Sequence, residues 1–173
     1  MNHETPPRPD APPLSLPAGL YQVGTPIGNL QDITLRALDT LGAAAVILAE
    51  DTRVTMRLLA RYDIRKPLVS YHKFNEAKRV DEIIARILGG EAVALVTDSG
   101  MPGVSDPGAR LARAAREAGL PVTAIPGPSA LTMAISLCGM EAEGYVFGGF
   151  LPHKSGARRR ALEHFASARL PVV

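Results

Sequence analysis

Residues 20–29 read Leu20-Tyr21-Gln22-Val23-Gly24-Thr25-Pro26-Ile27-Gly28-Asn29. A short apolar run passes straight into a stretch with two glycines and a proline. The run is continuous rather than alternating, as expected of a strand covered on both faces. The Gly/Pro stretch ends it and opens a loop. Four more runs of this kind follow, at 45–49, 68–70, 92–97 and 122–125. Helical patterns lie between them. Leu35, Leu38 and Leu41 are spaced as one apolar face closed by Gly42, and 52–61 reads as a second helix. In 76–88, Val80, Ile83, Ile84, Ile87 and Leu88 form the inward face, with Lys78, Arg79, Asp81, Glu82 and Arg86 outward. Asp106-Pro107 reads as an N-cap followed by proline at the first helical position, with Gly119 at the end of that helix. Pro126-Gly127-Pro128 opens a helix to about residue 138. This order predicts an α/β fold, an open, mainly parallel five-stranded sheet with helices on both faces.

The ends of the chain read differently. Six of the 15 prolines fall in residues 1–17, which are expected to be a disordered tail. The α/β domain is expected at 18–150. Beyond it, 151–154 reads as a hinge and 156–168 as a basic helix. Leu170-Pro171-Val172-Val173 reads as the opening of a strand with nothing to pair with, so 151–173 is taken as the beginning of a second, truncated domain.

Composition narrows the function. One cysteine among 173 residues, Cys138, excludes an internal disulfide and a multi-cysteine zinc site. The longest apolar-plus-glycine run, 41–49, has nine residues, against about 20 for a membrane span. No apolar segment at the N-terminus reads as a signal peptide, so a cytoplasmic protein is expected. The net charge of +2 is uneven. Residues 1–151 hold 14 Lys and Arg against 16 Asp and Glu, whereas 152–173 hold Lys154, Arg158, Arg159, Arg160 and Arg169 against Glu163. That basic end is either a phosphate-facing surface or an ordinary solvated helix face.

Ligands of open parallel sheets bind beyond the carboxyl ends of the strands. Four of these ends carry unusual sequence here: 24–32, 50–53, 98–108 and 126–130. Glycines let a backbone approach a ligand closely, and prolines fix the loop beforehand. There is no Gly-x-Gly-x-x-Gly and no lysine of the P-loop kind. The loop from Asp98 has no basic residue before Arg110. That is a poor place for a pyrophosphate and an acceptable one for a cationic sulfonium nucleoside.

Five strings carry a resemblance: Val23-Gly24-Thr25-Pro26-Ile27-Gly28-Asn29-Leu30-Gln31-Asp32, Ala49-Glu50-Asp51-Thr52-Arg53, Ser70-Tyr71-His72-Lys73-Phe74-Asn75-Glu76, Thr97-Asp98-Ser99-Gly100-Met101-Pro102 with Ser105-Asp106-Pro107-Gly108, and Pro126-Gly127-Pro128-Ser129-Ala130. In this order, over about 19–169, they closely resemble the small-subunit ribosomal RNA methyltransferase I family of the tetrapyrrole methylase superfamily. Ser99 and Met101 stand where that branch often has Ala and Thr. The resemblance implies S-adenosylmethionine as cofactor and transfer of methyl to the ribose 2′-hydroxyl of a cytidine in 16S ribosomal RNA. It also implies a homodimer acting on the small ribosomal subunit; with no metal-ligand cluster and no long apolar run in the sequence, neither metal nor membrane is expected. Precorrin-type methylation of a tetrapyrrole is the alternative. A third reading is that this chain alone binds weakly and catalyses nothing.

By the same resemblance, Gly24, Thr25, Pro26 and Gly28 form the floor near the transferred methyl. Asp98, Ser99, Gly100, Met101, Pro102, Val104 and Ser105, with Pro126, Gly127, Ser129 and Ala130, hold the cofactor largely through backbone groups. The alternative for Asp98 is a capping carboxylate, and for Ser129 a cap of the following helix. Arg53, Arg57 and Arg61 recur every four residues along one helix face, and Arg53 with His72 is the candidate RNA contact. Lys73 lies beside His72. Asp51 is the candidate proton acceptor, on position alone.

Overall fold

A computed structural model describes residues 15–173. Five strands form one parallel sheet in the order β3-β2-β4-β1-β5: β1 Gly19–Val23, β2 Val46–Ala49, β3 Leu68–Ser70, β4 Ala92–Val96 and β5 Val122–Ile125. The helices are α1 Leu35–Ala43, α2 Thr52–Arg61, α3 Glu76–Leu88, α4 Ala109–Glu117, α5 Ala130–Cys138 and α6 Ser155–Phe165. Every residue of β2 and β4 is buried. That is the physical meaning of their unbroken apolar runs, since each side chain meets a helix whichever face it points to. One face is closed by Ala37 and Leu41 of α1 with Leu58 and Leu59 of α2. The other is closed by Ile83 and Ile87 of α3 with Leu111 and Ala115 of α4. Truncating a wholly buried leucine such as Leu41 or Leu111 costs about 2–5 kcal/mol.

The helices start and stop for local reasons. The Thr34 side chain accepts from Ala37 N–H at the start of α1, and Asp51 from Arg53 N–H at the start of α2. The expected helices at 52–61 and 76–88 and the strands at 68–70 and 122–125 form with those bounds.

Other expectations are corrected. Leu35 is 68% exposed, while Leu41 is buried. Six residues turn a helix by about 240°, so the two cannot share a face. Gly42 does not stop α1, which runs through it to Ala43. Leu88 is exposed, one step round the helix from buried Ile87. Asp106 is not the cap of α4. The loop folds back through Gly103 N–H to Pro107 C=O, and the helix starts from Gly108 at φ 129°. A Cβ at Gly108 would lie 2.8 Å from Leu95 Cδ2.

Both ends are also better tied than expected. Leu16 packs against the core and Pro17 C=O accepts from the Tyr21 hydroxyl at 2.9 Å, so order begins before residue 18. The rest of the expected tail, 1–14, lies outside the described residues. The 170–173 segment does find a partner, in the apolar stretch before it. Val146 N–H donates to Pro171 C=O, Val173 N–H to Val146 C=O and Gly148 N–H to Val173 C=O. The pairing is parallel, with α6 in the crossover.

Candidate active site

β1 and β4 are neighbours, yet the chain leaves them in opposite directions. From β1 it crosses over α1 to β2, and from β4 it crosses the other face over α4 to β5. Their carboxyl ends therefore part at a topological switch point, where an open α/β sheet has its crevice. The two loops are clasped just beyond it. Thr25 N–H donates to Gly100 C=O at 2.9 Å, and Gly100 N–H returns to Thr25 C=O at 3.1 Å. The Thr25 hydroxyl, buried, donates to Thr97 C=O at 3.0 Å. A third loop crosses here. A Cβ on Gly24 would sit 2.7 Å from Gly127 Cα and 2.7 Å from Met101 Sδ. One on Gly127 would meet Gly24 backbone atoms at 2.8–2.9 Å. The two glycines exist for each other: no side chain fits where the loops after β1 and β5 cross.

The expected cofactor residues thus separate into two groups. Gly24, Thr25, Pro26, Gly100 and Pro102 are buried, and Gly24, Thr25 and Gly100 among them join the loops. Gly28, Asp98, Ser99, Val104, Ser105, Pro126 and Ala130 are exposed, with Met101, Gly127 and Ser129 between the extremes. Ser129 occupies the N-cap position of α5, but its side chain makes no capping hydrogen bond. Gly149 brings the chain that follows α5 to the same edge. A Cβ there would lie 3.7 Å from Ser105 Oγ.

Acidic groups gather across the end of β2. Asp98 accepts from Asp51 N–H at 3.0 Å, and its own N–H donates to the Glu50 carboxylate. Burial raises the pKa of Glu50, the charges of Asp106 and Asp98 raise it further, and His72 opposes them. Burial and then Asp98 raise that of Asp106. The sequence offered Glu50 only as a neighbour of Asp51 and Asp106 only as a helix cap; neither was a candidate for the site's chemistry. Asp51, next to Glu50, is in a different state. It caps α2 and takes the Arg53 guanidinium in a bidentate pair at 2.6 and 3.0 Å. Those hydrogen bonds lower its pKa to about 2, which makes it a weak base.

Arg53, Arg57 and Arg61 are exposed on α2. His72 is partly buried. Its Nδ1 accepts from Phe74 N–H at 3.3 Å. Among the described residues no helix is long and apolar enough to cross a membrane.

The family description "Tetrapyrrole (Corrin/Porphyrin) Methylases" matches residues 19–173. The chain belongs to the tetrapyrrole methylase family. Within it, the chain is 49% identical over 154 residues to the ribosomal RNA small subunit methyltransferase I of Neisseria meningitidis serogroup B, covering 89% of this chain and 53% of that one. It is 47% identical over 154 residues to the enzyme of the same name from Coprothermobacter proteolyticus, covering 89% of this chain and 70% of that one. The chain spans about half the length of the first of these relatives. Among solved structures, uroporphyrin-III-C-methyltransferase from Thermus thermophilus superposes with a TM-score of 0.59 at 24% identity, over 85% of this chain and 74% of that one. This chain of the tetrapyrrole methylase family therefore shares its fold with a tetrapyrrole enzyme and much more of its sequence with proteins named for ribosomal RNA.

Proposed function

We propose that this chain is the cofactor-binding part of an S-adenosylmethionine-dependent methyltransferase, acting on the ribose 2′-hydroxyl of a cytidine in 16S ribosomal RNA. The observation that carries the reading is the identity of nearly half of the residues to proteins named ribosomal RNA small subunit methyltransferase I. The likeness to the tetrapyrrole enzyme is half as great. We also propose that the whole protein is cytoplasmic, acts as a homodimer and needs no metal.

The donor set fits the cofactor. The loop from Asp98 to Ala109 offers backbone groups, hydroxyls and carboxylates and has no basic side chain. Glu50, Asp98 and Asp106 give the crevice a negative potential that suits a sulfonium and an ammonium. Gly28, Asp98, Ser99, Met101, Val104 and Ser105, with Pro126, Gly127, Ser129 and Ala130, would hold it. The clasped backbones of Gly24, Thr25 and Gly100 fix the distances between these groups. Bound there, S-adenosylmethionine would supply an electrophilic methyl group.

The chain's own part is alignment and proton removal. Three loops fixed on one another present the crevice with little freedom left to lose, which favours an in-line approach of the hydroxyl. Of the two neighbouring carboxylates, Glu50 is the better proton acceptor. Its raised pKa brings it nearer the working pH, while Asp51 stays committed to Arg53 and α2. Arg53 and His72 flank that end of the sheet on the side where RNA would lie.

The test is transfer of labelled methyl from S-adenosylmethionine to small ribosomal subunits by the full-length protein, followed by nuclease digestion. The expected product is 2′-O-methylcytidine. Label on a base, or on a tetrapyrrole and not on RNA, contradicts the reading.

A further inference from the structure

Phe74, in the loop that follows β3, points into solvent at 83% exposed. Single exposed apolar residues are common and mean little by themselves. This ring differs in how firmly it is presented. Tyr71, wholly buried, anchors the loop as it leaves β3. Asn75 then ties the turn together. Its Oδ1 accepts from His72 N–H at 2.8 Å and its Nδ2 donates to Ser70 C=O at 3.1 Å. The N–H groups of Asn75 and Glu76 both donate to His72 C=O, and Phe74 N–H donates to His72 Nδ1. The His72 ring stands edge-on to Phe74 at 5.9 Å, and Lys73 Nζ lies over the Phe74 ring at 5.1 Å. A planar ring thus projects into water from a hydrogen-bonded turn, with a cation beside it.

Its place matters as much. β3 pairs with β2 in parallel, Ala49 beside Ser70, so the loop with His72 and Phe74 leaves the same edge of the sheet as Glu50 and Asp51. α2, with exposed Arg53 and Arg57, precedes β3 and packs on it. Proteins that hold single-stranded RNA combine such parts, an aromatic face for an unstacked base and cations for the backbone.

We propose that Phe74 is a stacking platform for an unpaired base of the substrate RNA, close to the methyl-accepting ribose, with Lys73 meeting the neighbouring phosphate. This rests on the RNA reading above. A rigid platform loses little freedom on binding, so the stacking energy goes into affinity.

The chain has no tryptophan, so Phe74→Trp places a single tryptophan on the platform, excited selectively over the four tyrosines. The probe is an unstructured oligocytidylate titrated against the wild-type chain and variants, with S-adenosylmethionine present. Quenching of Phe74→Trp at saturation is expected. Phe74→Ala and Phe74→Leu should bind about tenfold more weakly, since neither offers a planar face. Phe74→Tyr should bind as the wild type does. The salt dependence should be the same in Phe74→Ala, because its phosphate contacts remain, and should be shallower in Lys73→Gln. Unchanged melting of Phe74→Ala shows that the exposed ring is not needed for folding.

Wild-type affinity in Phe74→Ala and Phe74→Leu overturns the platform and leaves the RNA reading standing. A wild-type chain that binds S-adenosylmethionine but no oligonucleotide overturns the RNA reading for this chain and the platform with it. A Phe74→Trp emission that changes with protein concentration in the absence of RNA assigns the ring to a contact between copies, and overturns the proposal.

Discussion

Replacing Gly24 by alanine adds one carbon atom where the loops after β1 and β5 cross. That atom would lie 2.7 Å from Gly127 Cα, 2.8 Å from Gly127 N and 2.7 Å from Met101 Sδ. Carbon atoms rest about 3.5–4.0 Å apart, so each contact is about 1 Å too short. Met101 can swing its sulfur aside, but the Gly127 atoms are backbone. The loop after β5 must move, and it carries Pro126, Ser129 and the start of α5. Overpacking of this kind costs about 1–3 kcal/mol, and the backbone partners put Gly24→Ala at the upper end. At about 2–4 °C per kcal/mol for a chain of this size, the melting temperature should fall by about 6–12 °C. Gly127→Ala should lose a similar amount, since its Cβ meets Gly24 in return. The two losses should not add, because either substitution already separates the loops. Thermal unfolding of the two single variants and the double variant measures this directly. A Gly24→Ala chain that melts within about 1 °C of wild type would refute the crossing and return Gly24 to a role against a ligand alone.

Other substitutions separate the remaining arguments. Gly42 lies inside α1 in open space, so Gly42→Ala should stabilise the chain by about 0.5–1 kcal/mol, read from the same melts. Glu50 has a raised pKa, so the folded state holds its proton more tightly than the unfolded state does, and the carboxylate becomes a burden as pH rises. Glu50→Gln should therefore melt higher than wild type at neutral pH, with the gain fading below the ordinary glutamate range, and its methyl transfer should be impaired. Asp51 has the opposite sign. Its contribution is present above the ordinary aspartate value of 3.8 and is lost as pH falls towards about 2. Asp51→Asn keeps a cap but loses the Arg53 pair, so it should melt lower than wild type at pH 7 and converge with it in acid.

The sheet could be read from the sequence because burial on both faces leaves a mark in every residue of a strand, as in Val46–Ala49 and Ala92–Val96. Helix α3 could be read because Ile83 and Ile87 repeat at its period. Where two signals compete, the reading goes astray. Leu35 has the right chemistry at the wrong angle, and Asp106-Pro107 has a capping sequence in a loop that Gly103 and Gly108 bend elsewhere. The loops of the site were visible as Gly and Pro clusters beyond strands. What joins them was not. Gly24 against Gly127 and Thr25 against Gly100 are contacts between residues far apart in the chain, and a single sequence carries no record of such pairs. Asp51 and Glu50 look alike as letters. Only the fold shows that one is held by Arg53 while the other is pressed by burial, Asp106 and Asp98.

The most direct test of the central claim, that the loops beyond β1, β4 and β5 form a cofactor site, is calorimetric titration of this chain with S-adenosylmethionine. The account predicts saturable one-site binding in the micromolar range, weakened by Gly127→Ala. At a hundredfold excess over the dissociation constant this corresponds to about 2.7 kcal/mol of added stability. A folded chain that gives no heat and no shift in melting temperature at millimolar S-adenosylmethionine would contradict it.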